Sequence, residues 1–240
     1  MRSLKIVLIT LICMGTFNLA EAQVKKRING SGDVKTETRN LEGFTGVKTA
    51  TAVDIYLTQG NNFDVVVEAD DNLLEYIVTE VKDDALNVYL DKVFITGKKT
   101  MIVHVTMPEI EFIKASSAGD VIGQTPIKAD NLKVSTSSAG DVNIEVTAKT
   151  LYLSTSSSGD ITISGEADYL EASTSSAGDI KGYELTVREA DVSASSAGDV
   201  KITVTERLKA RASSAGDIYY QGNPEYVDAK SSSAGDVVKR

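Results

Sequence analysis

Apolar and polar side chains alternate with a period of two through most of the C-terminal half of the chain, and the alternation restarts at regular points. Aligned on a recurring Gly-Asp step, the position after the aspartate reads Val121, Val142, Ile161, Ile180, Val200, Ile218 and Val237, β-branched in every copy. The next position is mostly polar, as at Asn143, Thr162, Lys181 and Lys201, and the one after it is mostly apolar or glycine, as at Ile144, Ile163, Gly182 and Ile202. Successive side chains of a strand point to opposite sides, so this pattern predicts a strand with one buried face. Upstream of the glycine, Glu111, Leu132, Leu151, Leu170, Ala190, Leu208 and Val227 form a second inward series. Ile113, Val134, Leu153, Ala172, Val192, Ala210 and Ala229 follow two residues later, with charged residues and serines between. Each unit therefore reads as two short strands meeting at Gly-Asp.

The units repeat. Ser-Ser-(Ala/Ser)-Gly-Asp-(Val/Ile) occurs seven times, with aspartates at Asp120, Asp141, Asp160, Asp179, Asp199, Asp217 and Asp236, at intervals of 21, 19, 19, 20, 18 and 19 residues. Near-constant spacing with small slips marks one structural unit per copy, the slips falling in loops. A unit of that length cannot bury its apolar side alone, so neighbours must stack. A leucine-rich horseshoe is disfavoured because its L-x-x-L-x-L pattern and helical return arm are missing. A β-helix also accounts for the small residues Ala115, Thr136, Thr155, Thr174, Ala194, Ala212 and Ser231 at one repeat position, which would form a column along a narrow part of the coil. Six intervals at the usual strand spacing amount to roughly 29 Å along the axis. The expected fold class is thus all-β, a parallel β-helix or β-solenoid with coils of about 19 residues.

Residues 24–110 repeat less clearly. Gly32-Asp33 and Val53-Asp54 look like worn copies of the corner, glycine being replaced by valine in the second. Phe63 to Ala69, Ala85 to Leu90 and Met101 to Met107 read as strands, and Asn72 to Ile77 as a short helical turn. Three readings stand for this half: further coils, a second small sheet, or a cap over the coil's exposed edge.

Composition narrows the functional classes. The chain has 240 residues, 42% hydrophobic and 25% charged, with one cysteine, one histidine, no tryptophan and a formal charge of −9. That is ordinary globular material, and the acidic balance argues against nucleic acid as a partner, because phosphate neutralisation needs lysine and arginine. Residues 1–22 read as a signal peptide: Arg2 and Lys5 precede an apolar run from Ile6 to Met14, and Ala20-Glu21-Ala22 offers a cleavage site. Cys13 lies in that run, with Ile12 beside it where a lipidated cysteine would need a small neighbour. The exported chain would begin at Gln23, carry a charge of −10 and no cysteine, and contain no segment apolar enough to be a membrane helix.

If the corners stack, seven carboxylates stand about 4.8 Å apart. Adjacent pairs then repel by about 0.9 kcal/mol in bulk water, or about 3.5 at an effective dielectric of 20. Two readings offset that repulsion: glycine takes a positive φ and aspartate accepts backbone N–H groups as in an Asx turn, or the carboxylates hold calcium. Against calcium, the Gly-Gly-x-Gly-x-Asp nonapeptide is missing. The paired serines, Ser116-Ser117 through Ser232-Ser233, either present a hydroxyl array to a polymer or bond inward to one another and the backbone. Phe112, Tyr152 and Tyr219 are expected to face out without forming a column. His104, in an alternating strand, reads as a structural side chain, and no cysteine nucleophile or histidine-rich metal cluster exists in the exported chain.

The chain as a whole resembles a known family. Gly30-Ser31-Gly32-Asp33-Val34, Gly43-Phe44-Thr45-Gly46-Val47, Val53 to Gly60, Val67 to Leu74, the Val105-Thr106-Met107-Pro108 step and the Ser-Ala-Gly-Asp copies are together similar to the GIN domain. That family is described as the head of auto-transporter adhesins in exported proteins of Bacteroidetes. The resemblance implies a right-handed β-helix and a cell-envelope location, and supplies no catalytic or ligand residues. The chain ends four residues after Asp236, so a head without a translocator barrel is expected. The expected organisation is a signal peptide over 1–22, an N-terminal β region over 23–110 and a repeat β-helix over 111–240. The expected role is an exported binding or scaffold module of the periplasm, cell surface or medium, without catalysis, cofactor or metal. Its expected partner is a glycan or other surface polymer, and copies of the chain could associate through open coil ends. The alternatives are a polysaccharide-active β-helix enzyme working through aspartates, or a self-assembling structural protein. Lys239 and Arg240 would discourage strand addition at the last coil.

Overall fold

The computed structural model describes residues 26–97 and 99–240; the signal-peptide reading of residues 1–22, with Cys13, lies outside the described residues. The N-terminal part contains β1 (Lys26–Asn29), β2 (Val34–Thr38), β3 (Gly46–Thr49), β4 (Asp54–Gln59) and β5 (Asp64–Asp70). A 3₁₀ turn at Leu74–Tyr76 precedes β6 (Ile77–Lys82), β7 (Ala85–Leu90), β8 (Val93–Thr96) and β9 (Met101–Met107). There follow β10 (Phe112–Ser116), β11 (Val121–Gly123), β12 (Ile127–Ser137), β13 (Val142–Thr155), β14 (Ile161–Thr174), β15 (Ile180–Ser195) and β16 (Val200–Ser213). The chain closes with β17 (Ile218–Gln221), β18 (Tyr226–Ser231) and β19 (Val237–Lys239).

Each long strand bends through a whole coil and pairs in parallel with the next. Val142 faces Ile161 and Thr155 faces Thr174, both 19 residues on. The expected all-β solenoid is therefore the fold. The residues after the aspartates lie directly over one another, and Val103, Ile55, Val121, Val142, Ile161, Ile180, Val200 and Ile218 are all buried. The upstream strands stack as β7, β3, β10, the later halves of β12 to β16, and β18. The small-residue column runs Thr49, Ala115, Thr136, Thr155, Thr174, Ala194, Ala212 and Ser231, buried in all but the last. Three members of the inward positions depart from it, Glu111 and Ala229 being exposed and Val227 42% exposed. Val227 belongs to the final layer, which has a partner on one side only among the described residues.

The uneven copy spacing has a structural counterpart. β15 shifts register between Lys181 and Leu185 against β14 and between Gly182 and Thr186 against β16, so the longer coil carries its extra length there as a bulge.

The corner differs from the expected Asx turn with a left-handed glycine. The left-handed residues are the two before the glycine: Ser138 and Ala139 have φ of 52° and 62°, and Ser117 with Ala118 and Ser214 with Ala215 behave alike. The glycine N–H donates to the first serine carbonyl, as from Gly140 to Ser137 at 3.1 Å, which makes each such corner a tight turn with both central residues at positive φ. Glycine is required for another reason. A Cβ on Gly140 would lie 2.5 Å from the Ser116 nitrogen, and one on Gly159 would lie 2.8 Å from the Gly140 carbonyl oxygen. The neighbouring coil's backbone occupies the space that any side chain would need.

The N-terminal half combines two of the three anticipated arrangements. β3 and β4 form a coil layer that sits between β7–β9 on one side and β10–β11 on the other, so layers are not stacked in chain order. Beyond them, β5 pairs antiparallel with β9, β2 with β5, and β6 with β7, closing that end of the stack. Val65, Val67 and Ala69 are fully buried there. Val53-Asp54 is a true corner of the stack, and valine is accommodated because β7 and β9 are joined through residues 91–100 rather than by a tight corner above it. Gly32-Asp33 is not a corner: it leads into β2 at the antiparallel edge.

Gly140→Ala is expected to lower stability by about 2 kcal/mol through overpacking. Ala139→Gly, at a positive φ, is expected to leave stability unchanged or raise it by up to about 1 kcal/mol. Urea unfolding midpoints of the two variants check the pair, and equal losses would contradict the steric assignment.

Candidate functional site

The aspartates form a ladder along one edge. Oδ1 of Asp54 accepts the N–H of Asp120 at 3.1 Å, Oδ1 of Asp120 that of Asp141 at 3.0 Å, and Oδ1 of Asp141 that of Asp160 at 2.9 Å. The series continues from Asp160 to Asp179, from Asp179 to Asp199 and from Asp217 to Asp236. In the reverse sense, the N–H after each aspartate donates to the next aspartate's carbonyl, as from Val142 to Asp160 at 3.0 Å. Each of these six carboxylates thus joins two coils instead of folding back on its own turn, and the N–H dipoles offset the repulsion between layers. The fit is electrostatically imperfect: burial pushes the carboxyls of Asp54, Asp120 and Asp199 above their ordinary value.

The serines divide by position. The first serine of two pairs leans on the preceding layer, Ser116 Oγ donating to the Thr49 carbonyl at 3.1 Å and Ser195 Oγ to that of Thr174 at 3.3 Å. The second sits exposed at the turn tip, so neither lies in the core. His104 projects from β9 with Nε2 2.8 Å from Glu68 Oε2 and its ring edge-on to Tyr56.

Two surfaces escaped the sequence reading. A groove of about 570 Å³ crosses the middle of the coils over a floor of Ala129, Ala148 and Ala167. Its rim alternates in charge from layer to layer: Asp130 meets Lys149 at 2.8 Å, and Arg188 meets Asp168 at 3.5 Å and Glu206 at 2.8 Å. All five stand ten residues before a corner glycine, so aligning that position would have found them. These cations are neutralised by their own neighbours.

The second surface corrects the expectation that the aromatics form no column. Phe112 faces Lys133, and Lys133 faces Tyr152, in consecutive layers. Both rings stand seven residues before a corner glycine, an offset legible in the sequence. Tyr219 lies on another face, donating its hydroxyl to Asp217 Oδ2 at 2.9 Å. A cleft of about 390 Å³ opens between Phe112 and Tyr152, lined also by Glu111, Asn131 and Lys133. Among the described residues, no group of three or more His, Cys, Asp or Glu side chains is placed to hold a metal ion, and no helix is long and apolar enough to cross a membrane.

Comparison with known proteins places this architecture. A family model described as "Putative auto-transporter adhesin, head GIN domain" matches residues 43–224. The chain is similar to a "putative adhesin" of Bacteroides fragilis NCTC 9343 at 25% identity and a TM-score of 0.82, over 89% of this chain and 100% of that one. A "putative adhesin" from Parabacteroides merdae ATCC 43184 shares the fold at 21% identity and a TM-score of 0.70, over 90% and 99% of the two chains. A "putative lipid binding protein" from Parabacteroides distasonis ATCC 8503 shares it at 22% identity and 0.69, over 89% and 100%. No curated protein matches the chain significantly.

Asp120→Asn keeps an acceptor for the Asp141 N–H and is expected to retain stability, whereas Asp120→Ala is expected to lose about 1–2 kcal/mol. A second consequence concerns pH. The folded chain holds the protons of Asp54, Asp120 and Asp199 more tightly than the unfolded chain does, so stability rises as the pH falls from neutrality through their raised values. Asp71 and Asp228, held below the ordinary 3.8 by hydrogen bonds from Ser31 and Arg211, act in the opposite sense, and their contribution is lost only on the acid side of 3.8. The melting temperature is therefore expected to climb on mild acidification and then turn over, with a smaller climb in Asp120→Asn. A steady decline from neutrality would contradict the ladder's role.

Proposed function

The chain belongs to the family of auto-transporter adhesin head GIN domains, and from that premise we propose that it is an exported, non-catalytic binding module of the cell envelope, holding a surface polymer along its coils. One observation carries the reading. The corners repeat in register through the stack, so outward positions recur at a single strand spacing of about 4.8 Å over many layers. A periodic, rigid face suits a ligand that is itself periodic. The adhesin name of the similar Bacteroides fragilis structure supports the same reading.

The uniformity also bears on catalysis. An active site on a solenoid requires a departure from the repeat, where a few side chains converge on one substrate atom. Here the corner carboxylates are committed to backbone N–H groups of adjacent layers. Export rests on the signal-peptide reading of residues 1–22, with a destination in the periplasm, on the surface or in the medium.

The chain is expected to be retained by a subset of immobilised bacterial and host surface polysaccharides on a glycan array, and to release no new reducing ends from uronate-rich polymers during prolonged incubation. Release of reducing ends would establish the enzymatic alternative. Retention by no polymer, together with concentration-dependent growth in light scattering, would establish the self-assembling one.

A further inference from the structure

The outer face of the upstream strands is not uniform along the axis. In the column of Phe112, Lys133 and Tyr152, the later layers place Glu171, Asp191, Lys209 and Asp228. In that later half the cations of β16 are paired, Lys209 with Asp191 at 2.5 Å and Arg211 with Asp228 at 2.6 Å, while Lys230 in β18 has no carboxylate within 4.0 Å among the described residues. In the early half they are not. Lys48, Lys114 and Lys133 have no carboxylate within 4.0 Å among the described residues. Two of the three stand instead beside aromatic rings, with Lys48 Nζ 5.5 Å from the Phe112 centroid and Lys133 Nζ 5.9 Å from that of Tyr152. The register continues upward, Lys114 facing Lys48 and Phe112 facing Gly46. Gly46 has a specific purpose there: a Cβ would lie 2.3 Å from the Phe112 ring, so glycine leaves the room that the ring occupies against the neighbouring coil.

Three unpaired cations and two rings on one face of a chain with a formal charge of −9 are a local reversal of the protein's field. Unneutralised lysines in that setting favour an anionic ligand, and half-buried rings at the surface favour one with flat apolar faces. We infer that the Phe112–Lys133–Tyr152 cleft is a binding site for an acidic polysaccharide of uronate type, stacking alternate sugar rings on Phe112 and Tyr152 and pairing an intervening carboxylate with Lys133. The two rings stand two layers apart, about 9.6 Å at the usual strand spacing, which suits an extended chain running along the stack. Asn131 offers an amide to ring hydroxyls at the cleft, and Glu111 is already engaged there by the Thr45 hydroxyl at 2.9 Å. Single-stranded nucleic acid shares the taste for rings and lysines, but its denser charge meets the acidic remainder of the molecule.

This inference rests on the binding-module reading and names its ligand. Its test is calorimetric titration of the full exported chain with an oligogalacturonate, a neutral cello-oligosaccharide of equal length and a single-stranded oligodeoxynucleotide. The oligouronate is expected to bind, more weakly at high salt, and the other two not measurably. Phe112→Leu with Tyr152→Leu keeps apolar bulk while removing the stacking faces, and is expected to weaken oligouronate binding about tenfold or more at unchanged melting temperature. Lys133→Gln is expected to weaken it and flatten its salt dependence, and Lys149→Gln, at a paired cation, to leave it unchanged. Oligouronate affinity unaffected by the Phe112, Tyr152 and Lys133 variants, or tighter binding of the oligodeoxynucleotide, would overturn the assignment. Failure to bind oligouronate while the glycan array retains the chain would overturn this site and leave the binding-module reading standing; failure on both would remove the reading as well.

Discussion

Successive coils approach so closely at the corner that backbone meets backbone, and the rest of the molecule is arranged around that contact. It demands a glycine where the neighbouring chain passes, as at Gly140 beside Ser116, and it brings an aspartate within reach of the next layer's N–H. The same contact fixes register. Once Asp120, Asp141 and Asp160 are linked, the β-branched residue that follows each has one place to go, over its counterpart in the core. Positive φ at consecutive serine and alanine residues is unfavourable in isolation, at about 1–2 kcal/mol for each residue. It persists because the ladder on one side and the apolar column on the other over-determine every turn.

This division explains what could be read from the amino-acid sequence. Period-two alternation and the Gly-Asp interval report burial and stacking directly, so the parallel coils, the β-branched column and the small-residue column were all legible. The conformation of the corner was not. Gly-Asp suggests a left-handed glycine, whereas here the glycine answers to a neighbouring coil that lies 19 or so residues away in sequence, and the left-handed residues are Ser and Ala, which rarely adopt that conformation unaided. The N-terminal layers were illegible for a related reason. The coil of β3 and β4 sits between layers formed later in the chain, and nothing local in Val53-Asp54 announces that order.

The surfaces were partly legible. Phe112 and Tyr152 share a repeat offset, as do Asp130, Lys149, Asp168, Arg188 and Glu206, so aligning outward positions as carefully as inward ones would have exposed both. Pairing is different. Whether a lysine is neutralised depends on the rotamers and lengths of its neighbours across layers, which separates Lys149, held by Asp130, from Lys133 on the other face. A solenoid of identical turns offers a ligand many equivalent places. The early half of this face is set apart because its charges are left unanswered.

Amide hydrogen exchange at the corners tests the central claim most directly. Asp141, Asp160 and Asp179 lie on an outer edge, where unbonded N–H groups would exchange at rates close to those of a free peptide. If each is held by the carboxylate of the preceding layer, these amides exchange only through unfolding and show protection comparable to that of the core positions Val142 and Ile161. Exchange of the aspartate amides at free-peptide rates, with the core amides protected, would show that the coils are not joined in this way.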